Sequence, residues 1–215
     1  MTGPVPANRL SRTRSLVAAP RIVSYAHGVS SEARLKRTDA GLVADGDGWF
    51  VLNAREARWI EREGRGFNLP FTGWTEDEAE TLFPHLGVAL IVLEPGEPVG
   101  MYHWEADAEA FLLLDGEALL IVEGEERPLR RWDFVHCPPG TGHIVVGAGD
   151  GRCVLLGIGA REHIGEDCNG GAYTVDEAAI RHGAGIESGS DADEPYARFA
   201  PSAPTPYREG WLPGP

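Results

Sequence analysis

The sequence predicts an all-β fold, a closed antiparallel barrel or jelly roll with short peripheral helices. Three observations predict it: short apolar runs recur at regular spacing from Gly41 to Gly159, Gly-rich turns separate them, and from residue 85 onward no helix interrupts them. A chain of 215 residues with 42% hydrophobic content can bury one good core, so one domain with extensions is expected.

Residues 1–38 lack hydrophobic periodicity and carry seven basic side chains to one acidic. They read as a poorly ordered basic extension, with an arm crossing to a neighbouring subunit as the alternative. The barrel and its added N-terminal strands are expected over 39–170. GLVADGDGWFVLNA, from Gly41, reads as a hairpin around Asp-Gly pairs, and REARWIEREGRG as a further strand. Thr75-x-x-Glu78 is a capping box that opens a short helix, closed by Pro84 and Gly87.

HLGVALIVL (85–93) is a strongly apolar strand followed by a turn at 95–98. AFLLL (110–114), Asp115-Gly116 and EALLIV (117–122) read as a β-hairpin. EGEE (123–126) turns into RPLRRWDFVHC, PPGTG turns into HIVV, and RCVLLGIG is the last barrel strand. Several strands are apolar on both faces, so the outer face needs a cover of extra strands, tail or a second subunit. Residues 171–215 form a C-terminal helix and a Pro-rich tail. Thr174-x-x-Glu177 caps the helix, which runs to about His182 and stops at Gly183.

The formal charge of −14 argues against a nucleic-acid or anionic-membrane partner. No apolar run approaches the roughly 18 residues a membrane helix needs, and the N-terminus lacks the apolar centre of a signal peptide. Cys137, Cys153 and Cys168 are odd in number and form no CxxC pair, which fits a reducing compartment; the expected address is the cytoplasm. The chain has no G-x-S-x-G elbow, phosphate loop or dinucleotide fingerprint, which argues against serine-hydrolase, nucleotide-binding and nicotinamide-dependent chemistry.

The informative stretch is MYHWEADAEAFLLLDG, from Met101. His103, Glu105, Asp107 and Glu109 fall at every second position, so in a strand they share one face. Such a row is costly to bury without a partner, and a divalent metal is the obvious one. His103, Glu105 and Glu109, joined by His143, offer two nitrogens and two carboxylates. That set suits zinc, iron or manganese, with nickel or copper less favoured. Asp107 reads as a solvated loop carboxylate, and His136 as a core or surface histidine more than a pocket acid. Tyr102 and Trp104 point away by alternation, while Phe111 and Leu113, in phase with Glu109, form an apolar wall. His163, Cys168 and His182 match no zinc spacing.

At these residues the chain resembles the cupin superfamily. His103-x-Glu105, a three-residue gap, Glu109, six residues and Gly116 fit its first motif, with Glu105 in place of the second histidine. Pro138, Gly140 and His143 fit the second, where Trp132 stands for the usual leading Gly and Gly147 for the closing Asn. The resemblance covers about residues 85–160 and implies a double-stranded β-helix, metal held by His103, Glu105, Glu109 and His143, and a homodimer. It implies an enzyme that chelates a small polar molecule on the metal, of isomerase, lyase or oxygenase type, with no catalytic base identified. The alternatives are a non-catalytic binding protein for a carbohydrate-like ligand and a barrel stapled by a structural metal.

Overall fold

The computed structural model describes residues 31–46, 48–73, 83, 85–188 and 194–214. The strands are β1 (Arg34–Thr38), β2 (Gly41–Asp45), β3 (Arg58–Glu61), β4 (Phe67–Pro70), β5 (His85–Leu93), β6 (His103–Trp104) and β7 (Glu109–Asp115). They continue as β8 (Glu117–Val122), β9 (Glu125–Arg130), β10 (Phe134–Cys137), β11 (His143–Ala148), β12 (Cys153–Arg161), β13 (Ala172–Tyr173) and β14 (Ala203–Pro206). Among the described residues one α-helix, α1 (Glu177–Arg181), follows β13.

The strands form an all-β jelly roll. A seven-stranded sheet runs β10-β7-β12-β5-β4-β3-β14 and a five-stranded sheet β13-β6-β11-β8-β9, with β1-β2 as a separate hairpin. Every strand pair within the three is antiparallel. Period-two alternation assigns the faces. Ile91, Leu93, Phe111, Leu113 and Leu155 of the large sheet meet Ala118, Leu120 and Val145 of the small one in the central core. β3 and β4 lengthen the large sheet beside β5, as the resemblance implies for strands ahead of the barrel.

The outward faces are covered by the chain's own C-terminal segment. Ala178, Ala179 and Ala184 pack on Ile121, Ile144 and Val146 outside the small sheet. Outside the large sheet Trp211 joins Trp59, Leu69, Val92 and Val154, and its ring stacks on Phe67 at 4.1 Å. β14 adds to the sheet edge by pairing with β3. Each buried aromatic of this kind contributes about 1.5–3 kcal/mol. These parts of the apolar outer faces are therefore covered from within the chain, while Phe134 on β10 and Leu86 on β5 stay exposed.

Several local expectations need correction. The hairpin expected within Gly41–Ala54 forms one step upstream: β2 pairs with β1, so residues 34–38 are a strand rather than part of the extension. β7 and β8 are not a hairpin, because β7 pairs with β10 and β12 while β8 pairs with β11 and β9. The Asp115-Gly116 turn instead carries the chain from one sheet to the other. Gly116 has φ +74°, and a Cβ there would lie 2.3 Å from the Arg152 carbonyl oxygen, so the crossing requires glycine. The true hairpin is β8-β9, closed by Glu123-Gly124 with φ +49° and +79°, as a type I′ turn demands. α1 is capped by Asp176, whose carboxylate accepts from the Ala179 amide at 2.8 Å, and not by Thr174. The short helix expected after Thr75 lies outside the described residues.

Candidate metal centre

His103 and His143 are direct cross-strand partners on β6 and β11. Both fall on the inward parity, since Val145, two residues after His143, enters the central core. Glu109 opens β7 in the facing sheet, in phase with Phe111 and Leu113 as expected. Glu105, just after β6, is turned inward and its side chain is 12% exposed. The four side chains thus come from both sheets and meet inside the barrel.

Donor atoms of His103, Glu105 and Glu109 all lie within 4.8 Å of one another, a group that could hold a metal ion. His103 Nε2 is 3.3 Å from Glu105 Oε1 and 3.9 Å from Glu109 Oε2. His143 stands outside this mutual group and joins it through Glu109, its Nε2 lying 3.1 Å from Glu109 Oε2. Sequence reasoning treated the four donors as equivalent; three are mutual neighbours and the fourth is reached over one carboxylate.

Both imidazoles are oriented from behind. His103 Nδ1 lies 2.8 Å from the Met101 carbonyl oxygen and His143 Nδ1 3.0 Å from that of Thr141. A carbonyl only accepts, so each Nδ1 carries the proton and donates it. In the neutral ring the Nε2 lone pair then faces the cluster. His143 Nε2 and Glu109 Oε2 are both buried without an aligned hydrogen-bond partner among the described residues, the 3.1 Å contact between them being short but poorly directed. Leaving such atoms unsatisfied costs about 1–3 kcal/mol each, and a cation among them removes that cost.

Burial works to raise the Glu109 carboxyl, but His143 and His103 outweigh it and hold it below the usual carboxylate range. For His143 burial works downward, yet the Cys137 sulfur and the Glu109 carboxylate push it up to about 10. Each side chain of this pair thus favours the charged form of the other.

Asn169 was missed by sequence reasoning. Its Nδ2 donates to Glu105 Oε1 at 3.0 Å, and its carbonyl accepts from the Ala106 amide. In the sequence it sits in DCNGG, which reads only as a turn. Asp107 is corrected: far from solvated, it is buried and accepts from the His163 amide at 2.9 Å and from His163 Nδ1 at 2.8 Å. Burial raises its pKa, and these bonds more than offset that, leaving it lowered. The pair ties the segment after β12 to the β6-β7 loop. His182 pairs with Glu126 at 3.3 Å, and the Cys168 side chain lies outside what is described. His136 is exposed on β10, and Tyr102 packs outside the small sheet, where burial and nearby carboxylates push its phenol up to about 12.

A cavity of about 320 Å³ adjoins the cluster, lined by His103, Glu105, Glu109 and His143, with Phe111 and Ile91 among its walls. It also reaches Arg62, just past β3, and Asn68 on β4.

A jelly roll whose interior holds a His/Glu cluster at the junction of its two sheets defines the class, and the chain carries a cupin domain. Residues 89–159 match the family model described as "Cupin domain". Among solved structures, a candidate sugar phosphate isomerase from Acidithiobacillus ferrooxidans is 33% identical, with 37% of this chain and 52% of that one covered and a TM-score of 0.36. A cupin-superfamily sugar phosphate isomerase from Silicibacter pomeroyi is 23% identical over 51% of this chain and 63% of that one, with a TM-score of 0.39. A Cupin 2 conserved barrel domain protein from Salinispora arenicola is 25% identical over 43% and 72%, with a TM-score of 0.35. The matches to the first two span 52% and 63% of the length of those chains. No curated protein matches the chain. No helix among the described residues is long and apolar enough to cross a membrane.

Proposed function

We infer that the chain is a metal-dependent small-molecule enzyme in which His103, Glu105, Glu109 and His143 hold one divalent ion and a small polar substrate chelates to it. The carrying observation is the pair of buried atoms, His143 Nε2 and Glu109 Oε2, that lack aligned partners beside the mutual group of His103, Glu105 and Glu109. Nitrogen and carboxylate donors favour zinc, iron or manganese over nickel or copper. When bound, such an ion acts as a Lewis acid and template, and two carboxylates cancel its charge and temper that acidity.

The chain's own residues do the rest. Met101 and Thr141 fix the two imidazoles through their carbonyls, and Phe111 narrows the space against His143, the two rings lying 5.7 Å apart. Glu105, held by Asn169, is the carboxylate placed to exchange a proton with a substrate hydroxyl. This reading takes in isomerase, lyase and oxygenase chemistry. Homodimerisation rests on the family resemblance, and cytoplasmic residence on the absence of a cysteine framework, Cys137 and Cys153 being free and buried.

Metal analysis of protein purified without added metal, followed by melting before and after chelation, tests the reading. One ion per chain and a lower melting temperature after chelation are expected. Glu105→Gln should keep most of the metal and lose turnover of a chelating substrate; loss of the ion in that variant would make Glu105 a plain ligand. Oxygen uptake with candidate substrates separates the oxygenase branch.

A further inference from the structure

The cavity has a second polar end that metal binding does not explain. In β4 the residues Phe67 and Leu69 face the outer aromatic cluster, so Asn68 faces the interior, paired across the ladder with Ile91 of the central core. Asn68 is 4% exposed, lines the cavity, and its Oδ1 has no hydrogen-bond partner among the described residues. Arg62, just past β3, shares the inward parity of Ile60, which pairs with Asn68. Its side chain is 5% exposed and lines the same cavity. A guanidinium and an amide on the inner face of a jelly roll are poor choices for filling a core.

Between the two ends the large sheet is hollowed. The inward positions nearest Glu109 are Gly159 and Gly87 in its own register row, then Gly157 and Ala89 in the next. One row further the space is filled by Leu155 and Ile91. At Gly157 a Cβ would lie 3.1 Å from Ile91 Cδ1, so a side chain there would press on Ile91. A glycine inside a strand marks close approach by another group, and here the hollow opens from Glu109 across β12 and β5 toward β4.

We propose that Arg62 and Asn68 form an anion-recognising subsite, so that the molecule bound is a small hydroxylated oxyanion with a chelating oxygen pair at one end and a carboxylate or phosphate at the other. The guanidinium takes the oxyanion through charge-assisted hydrogen bonds, and the Asn68 carbonyl takes a hydroxyl proton. The proposal rests on the metal reading above. The charges agree with it: two carboxylates with a divalent ion are neutral, and the lining holds two guanidinium groups, Arg62 and Arg161, which favour an anion. Both residues lie outside the 89–159 match, so the match to the family model does not itself supply this subsite.

Isothermal titration of the full chain supplied with manganese, using glycerol 3-phosphate, 3,4-dihydroxybutanoate and glycerol, tests this, with metal content measured on the same samples. At least one anion should bind roughly tenfold or more tighter than glycerol, and the better one identifies the oxyanion. Arg62→Gln should erase that margin while metal content and glycerol affinity hold. If Arg62→Gln does not fold, Asn68→Asp carries the test, because a carboxylate beside the guanidinium must erase the margin too. Glycerol binding as tightly as both anions overturns the subsite, as does a margin that survives substitution. A chain that takes up no metal yet shows the Arg62-dependent margin overturns the metal reading alone and upholds the subsite.

Discussion

Glu109→Ala should purify with almost no metal, where the wild type carries one ion per chain, and should still melt cooperatively. Glu109 is the donor on which the others converge. Its Oε2 is 3.1 Å from His143 Nε2 and 3.9 Å from His103 Nε2, and it alone of the four comes from the large sheet. Removing it leaves donors on the small-sheet side only and separates His143 from the mutual group. The loss should exceed the roughly 10–100-fold that outer partners of a metal site are worth. Competition with a calibrated chelator measures it. Glu109→Ala that retains stoichiometric metal would place the ion elsewhere.

Metal affinity should rise steeply with pH. In the metal-free chain His143 is pushed up to about 10, so at neutral pH its Nε2 carries a proton that an ion must displace. The sign follows from linkage. A folded-state pKa above the ordinary 6.5 stabilises the metal-free fold fully below 6.5, and that contribution is lost as pH rises toward 10. The metal-loaded form gains where the metal-free form loses. Apparent affinity for manganese should therefore increase about tenfold per pH unit between pH 6.5 and 8.5, with about one proton released per ion. The rise in melting temperature on adding metal should widen over the same range. Titration in buffers of different ionisation enthalpy counts the proton, and a flat affinity would show that His143 is already deprotonated or is not a ligand.

What was legible in the sequence is what alternation and spacing dictate. β5 runs His85–Leu93 as read, because a continuous apolar run suits a strand whose last residues, Ile91, Val92 and Leu93, are buried on both faces. His103, Glu109 and Phe111 face inward because their parity is fixed once the strand is fixed. The errors come from pairing, which local sequence does not encode. Asp115-Gly116 carries the same turn chemistry in a hairpin as in a crossing between sheets, and the Arg152 carbonyl just ahead of the neighbouring strand β12 distinguishes them. Trp132 shows the reverse case: the resemblance places glycine there, and the backbone keeps φ +76° although the side chain is tryptophan. The solvated reading of Asp107 fails because its partner, His163, is remote in sequence. Asn68 carried a usable signal, a lone amide in the otherwise apolar FNLP, in a stretch to which the sequence reading assigns no element.

An anomalous difference map at the absorption edge of the bound metal, on crystals grown from protein purified without chelator, tests the central claim most directly. The account predicts one strong peak per chain bonded to His103 Nε2, His143 Nε2 and oxygens of Glu105 and Glu109, at about 2.0–2.2 Å as for zinc. A peak away from these four side chains, or none inside the barrel, would contradict it.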